Sequence, residues 1–218
     1  LQLHSFRDGA LIEEVEPLDL AEGEVLAEAK LTVDQNSLIF ATTQGRIGIL
    51  ELSFLTSFEG DTANQESRRQ EFGALGVFWF VEDAQAEAPI AIDAMHGDAE
   101  ARMNAWAAAS YADGRVVLWR GQPRYNALED ETTWRMRSQE HQFEQPATCV
   151  VLFERGRFLA TVGDMVHGIG PADKFAGLEI LGSEMAGGEV VVARELIGRG
   201  SAILGTAEGK LSRWLLQP

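Results

Sequence analysis

Ala105-Trp106-Ala107-Ala108-Ala109-Ser110-Tyr111-Ala112-Asp113-Gly114-Arg115-Val116-Val117-Leu118-Trp119 reads as two short strands joined by a tight turn. A small, apolar run leads to Asp113-Gly114; a basic residue and then an aliphatic run follow. Glycine suits such a turn, because without a Cβ it reaches positive φ where other residues clash. The same order recurs at residues 38–52 and 202–216, around Gly45-Arg46-Ile47 and Gly209-Lys210-Leu211. Gln44, Asp113 and Glu208 precede the three glycines. One hairpin repeated along a chain predicts a repeat fold, in which each copy buries its faces only against its neighbours. The basic residue after each glycine is expected to be an exposed position just past the turn.

Working outward, each hairpin is preceded by another strand candidate, at residues 25–33, 89–95 and 189–196. Residues 146–153 precede a degenerate fourth hairpin over 158–169, entered through the turn Glu154-Arg155-Gly156-Arg157. Its turn reads Gly163-Asp164-Met165, without the basic residue. Residues 73–81, 132–139 and 175–181 can each add an outer strand, so the chain divides into four similar units. The polar stretch 59–71 reads as a surface loop, and residues 121–131 form a second variable patch. Residues 1–15 suggest a strand pair around Arg7-Asp8-Gly9, and residues 211–216 fall on the third strand of the last unit. An early strand is therefore expected to complete that last unit and close a ring. Residues 98–109 are rich in helix formers, which favours a short helix there. The repeat alignment instead predicts a strand over 106–110.

A chain of 218 residues, 45% apolar and 24% charged, can fold as one all-β domain with a sizeable core. No apolar stretch approaches the roughly 20 residues that span a bilayer, so no membrane insertion is expected. The chain opens on Leu1 rather than Met, and it is expected to be a fragment or a trimmed product. The formal net charge is −16, from scattered acidic residues such as Glu13, Glu14, Glu16 and Asp19. Such a surface repels phosphate backbones, so direct nucleic-acid binding is not expected. It solubilises the chain, and it would also suit protein partners with a basic surface. Cys149 is the only cysteine, which excludes an intrachain disulfide and fits a reducing compartment, cytoplasmic or nuclear. Its apolar run, Thr148-Cys149-Val150-Val151-Leu152-Phe153, predicts a buried strand position rather than a catalytic thiol.

The units resemble WD40 repeats. Glu140-His141, residues 147–153 and Gly156-Arg157-Phe158-Leu159-Ala160-Thr161-Val162-Gly163-Asp164 follow that family's order of a His, a strand, a turn and a closing strand. Residues 109–119 are similar to its Ser-x-x-Asp-Gly-x-Val-x-Leu-Trp ending, with Trp119 at the Trp position and Arg120 where Asp normally follows. The resemblance implies an all-β chain: a β-propeller of four-stranded antiparallel blades, about four of them here, filling residues 1–218 as one domain. Four blades make either a small closed ring or part of a larger propeller. The family serves mostly as an interaction platform, which implies a scaffold within a multiprotein complex. In that family a His such as His141 often hydrogen-bonds within its blade. A narrower likeness, through Leu3-His4-Ser5-Phe6, two hairpins and His141-Gln142-Phe143-Glu144, is to the diphthine methyl-ester hydrolases. That likeness implies the alternative of an esterase acting on elongation factor 2.

The residues themselves offer little chemistry. His4, His96, His141 and His167 are dispersed, and none pairs with a Cys or His at metal-ligand spacing. Asp93, His96 and Asp98 form the densest polar group and read as a turn. Neither a Gly-x-Ser-x-Gly elbow nor a Walker-type loop is present, and Pro171 spoils a dinucleotide reading of Gly168-Ile169-Gly170. Trp79, Trp106, Trp119, Trp134 and Trp214 are expected to pack blades. No residue is assigned to catalysis, to a cofactor or to a metal.

Overall fold

In the computed structural model, residues 2–4, 11–14, 20–32, 37–51, 77–96, 105–126, 131–172, 176–196 and 200–216 are described. Strand β1 (Gln2–His4) pairs with β2 (Leu11–Glu14). Blade 1 holds β3 (Leu26–Leu31), β4 (Ser37–Thr42), β5 (Ile47–Glu51) and β6 (Val77–Val81). Blade 2 holds β7 (Ala91–His96), β8 (Ala105–Ser110), β9 (Arg115–Asn126) and β10 (Glu131–Gln142). Blade 3 holds β11 (Cys149–Leu152), β12 (Phe158–Val162), β13 (Met165–Pro171) and β14 (Leu178–Met185). Blade 4 holds β15 (Val190–Leu196), β16 (Ser201–Thr206) and β17 (Leu211–Leu215). Every blade is an antiparallel meander in chain order. The four-bladed, all-β reading of the repeats is thus what the chain forms.

Side chains on a strand point alternately to opposite faces, so an inner strand of a blade must be apolar on both. Strand β8 shows this most simply. Ala105, Ala107 and Ala109 face blade 1, joining Ile39, Ile47 and Ile49 in one core. Trp106 and Ala108 face blade 3, where Leu152, Phe158 and Ile169 complete the second core. A third core joins Val151, Phe153 and Leu159 to Val190, Ala202 and Leu204 of blade 4. These contacts explain why the alanine-rich segment is a strand: its helix propensity is overridden by burial on two faces. Residues 98–104 of that segment lie outside the described residues, as does the polar loop 59–71.

Two expectations are corrected. Asp93 and His96 lie on strand β7, not in a turn. Ring closure by an early strand is not what the pairing gives: among the described residues β1 pairs with β2, and β17 pairs with β16 alone.

The hairpin turns also bolt successive blades together. The Gln85 N–H donates to the Gln44 carbonyl at 2.7 Å, and that of Phe143 to the Gly114 carbonyl at 2.9 Å. In blade 3 the Val190 N–H reaches the Gly163 carbonyl at 3.1 Å. Gly114 has φ 89°, and a Cβ there would run into the Phe143 carbonyl oxygen. Gly209 has φ 80° but opens onto free space. Gly114→Ala is therefore expected to cost about 2–4 kcal/mol, combining backbone strain with overpacking, against about 1 kcal/mol for Gly209→Ala. Urea denaturation of the two variants checks the difference.

Candidate functional site at the innermost strands

The innermost strands β3, β7 and β11 bring together polar groups that lie far apart in the chain. Asp93, buried on β7, forms an ion pair with Lys30 of β3, Nζ to Oδ1 at 3.2 Å. Its Oδ2 accepts the Leu152 N–H of β11 at 2.8 Å, and its Oδ1 accepts the Ala94 N–H at 3.1 Å. One carboxylate thus ties three blades. Burial pushes its carboxyl above the usual range, against the pull of Lys30 and the two N–H donors. Thr148 extends the network: its hydroxyl donates to the Val190 carbonyl at 2.9 Å and lies 3.1 Å from that of Thr161.

Glu28, two residues before Lys30, is pushed up by burial, with Lys30 opposing and the charge of Asp93 reinforcing. A folded-state value above the unfolded one favours folding at low pH, and that advantage is lost as pH rises through the folded value. Glu28→Gln removes this titration. The variant is expected to gain stability relative to the parent on passing from pH 4 to pH 7, measured by urea denaturation at both.

Cys149 is on β11 as expected, but half-buried rather than fully so. Burial pushes its thiol up, hydrogen bonding to Thr161 and Thr148 only partly opposing. The thiol stays protonated near neutral pH and is a poor nucleophile.

The basic residue after the turn glycine is not uniformly exposed, which corrects that reading. The Arg46 side chain is only 15% exposed; its Nη1 meets Oε2 of the fully buried Glu24 at 3.0 Å. The guanidinium also lies 4.0 Å over the Trp79 ring. Burial works against ionisation of Glu24, but hydrogen bonds from Thr42, the Ala21 N–H and Arg46 outweigh it and hold the carboxyl below its usual range. Lys210, at the equivalent place in blade 4, is exposed and donates to the Gly187 carbonyl at 2.9 Å. Both reach the loop ahead of their own blade's first strand. Arg115 instead stacks on Tyr111 at 4.4 Å and pairs with Asp113 at 3.5 Å.

His141 packs its ring edge-on against Phe143, with centroids 4.7 Å apart. Phe143 in turn lies 4.8 Å from His167, whose Nδ1 is 2.8 Å from the Ser183 hydroxyl. Burial, then the neighbouring His141, holds His167 below its usual value. Both rings thus serve the seam between blades 2 and 3. Trp106 and Trp119 are buried in the inter-blade cores, and Trp79 and Trp214 pack half-buried, as expected of them. The side chains of Trp134 and His96 lie outside the described residues.

Sequence reasoning missed Asp93 and Lys30 as a pair. The available signal was a carboxylate set between Ile92 and Ala94 in an apolar run, together with one of only three lysines. Among the described residues no group of three His, Cys, Asp or Glu side chains could hold a metal ion.

Four meandering blades joined by successive apolar cores define a β-propeller. No family model and no curated protein sequence matches the chain. Among solved structures it is similar to the β-propeller domain of Cps50 (Swd1) from Myceliophteria thermophila, with a TM-score of 0.51 and 11% identity. The match covers 89% of this chain and 52% of that one, so the chain spans about half of that domain's length. The computationally designed Ika4 protein matches with a TM-score of 0.46 and 12% identity, covering 94% of this chain and 96% of that one. At these identities the likeness is one of fold.

Proposed function

We propose that the chain is a non-enzymatic propeller scaffold that mediates protein–protein contacts within a larger intracellular assembly. The observation that carries this is where its reactive groups go. Asp93 is held by inter-strand bonds, Glu24 by Arg46 and the Ala21 N–H ahead of β3, and burial pushes the Cys149 thiol up. Large aliphatic side chains meanwhile stand exposed on blades 3 and 4, among them Leu181, Leu211 and Leu215. Exposed apolar surface of this kind fits an interaction site. The net charge of −16 supports partners with a basic surface on the remaining exterior. Residues 1–218 act as one propeller unit in this reading, alone or within a longer chain.

Affinity capture at low salt, from cells expressing the tagged chain, tests the proposal. A defined, salt-sensitive set of partner proteins is expected. Recovery of free monomer alone would count against it. Methanol release from methylated elongation factor 2 would replace it with the esterase reading.

A further inference from the structure

Blades 1, 2 and 3 each carry a fourth strand, β6, β10 or β14, antiparallel to the third. Strand β17, the third of blade 4, has no such neighbour among the described residues. Its Lys210 carbonyl and Leu216 N–H bond toward β16, to Thr206 and Gly200. By the alternation of an antiparallel ladder, the backbone N–H and C=O of Leu211, Arg213 and Leu215 point to the open edge. Leu211 and Leu215 are 78% and 60% exposed, an edge that ordinary folds cover or blunt.

Ala202 and Leu204 point to blade 3, so Ile203 between them points away, in register with Arg194 on one side and Arg213 on the other. Val192 and Leu211 flank that row at one end and Leu215 at the other. The face is thus aliphatic with two exposed arginines, in a chain that has 34 acidic residues against 18 basic ones. Arg213 reaches the Ser201 hydroxyl at 3.4 Å, and among the described residues neither arginine meets a carboxylate.

We infer that the open edge of β17 takes an extended segment of a partner protein as the fourth strand of blade 4. The segment has an acidic residue opposite Arg213, and aliphatic residues two positions to either side opposite Leu211 and Leu215. Main-chain hydrogen bonds supply the affinity, and the aliphatic–acidic–aliphatic alternation supplies the choice of partner. This assignment rests on the interaction reading above.

A fluorescently labelled peptide with valines two positions either side of a central glutamate tests it, by anisotropy against the full chain. Saturable binding is expected, weakened at least about tenfold by Arg213→Glu and kept by Arg213→Lys. A peptide with lysine at the centre is expected to show the reverse preference, binding Arg213→Glu and not the parent. These variants change an exposed side chain, and circular dichroism verifies that they fold. Absence of saturable binding, or equal binding by Arg213→Glu, overturns the inference. So does slow hydrogen exchange at Leu211, Arg213 and Leu215 in the isolated chain, which would mean that its own N-terminal strand fills the seat. If affinity capture returns partners while the peptide fails, the scaffold reading stands and this one falls.

Discussion

Replacing Asp93 with alanine is expected to lower the free energy of unfolding by about 3–5 kcal/mol, the range for breaking one side of a buried ion pair. Two losses combine. Lys30, itself mostly buried, is left without its counter-charge, and the Leu152 N–H loses the carboxylate that accepts it. A buried donor without a partner bears its full desolvation cost. Urea denaturation followed by tryptophan fluorescence would measure the effect. Lys30→Met alone is expected to be destabilising as well. The double variant Lys30→Met/Asp93→Ala should recover part of the loss, because it removes both charges together. If the double variant were as damaged as the sum of the singles, the coupling between blades 1 and 2 through this pair would be disproved.

Trp106→Ala should cost about 3–5 kcal/mol, as large-to-small changes at buried aromatics do. The ring sits in the core between blades 2 and 3 with Phe158, Leu152 and Ile169. It also presses on Gly156, where a Cβ would fall 2.6 Å from ring atom Cε3, so that turn is shaped to the indole. Arg120 lies 5.1 Å over the same ring from the strand beside it. Deleting the side chain leaves a cavity at a seam rather than inside one blade. Hydrogen exchange is therefore expected to quicken in β8 and β12 together, while the blade 1 strands change less. Uniform loss of protection across all blades would instead mean that the propeller unfolds as one unit.

Much of the architecture was legible from the hairpins. Gly45, Gly114 and Gly209 all adopt positive φ, as their place before a basic and an aliphatic residue required. The outer strands overlap their expected places, with β10 running on to Gln142 and β14 to Met185, because a strand needs only local alternation and a turn at each end. The post-turn basic residues were harder. Arg46 and Lys210 have the same local sequence setting, yet one is clamped between buried Glu24 and Trp79 and the other donates to a carbonyl at the surface. What separates them is the residue found at the far side of the blade, over twenty positions upstream, and no local pattern contains that. The alanine-rich segment was ambiguous for a related reason. Its propensity is helical, and only the apolar faces arriving from blades 1 and 3 select the strand.

By itself the sequence determined the repeat, the all-β class and the strand-turn-strand grammar of each blade, since these follow from side-chain period and from glycine at the turns. It also determined the acidic balance of the surface and the lack of a disulfide. Only the tertiary structure decided which charged groups meet. Lys30 and Asp93 are 63 positions apart by number, and Asp93 and Leu152 are 59 apart. They meet because the first strands of successive blades converge, bringing distant backbone groups within hydrogen-bond reach. Among the described residues the tertiary structure likewise leaves β17 with an open aliphatic edge. Pairing is a property of neighbours in space, and the pattern of one strand does not say who stands beside it.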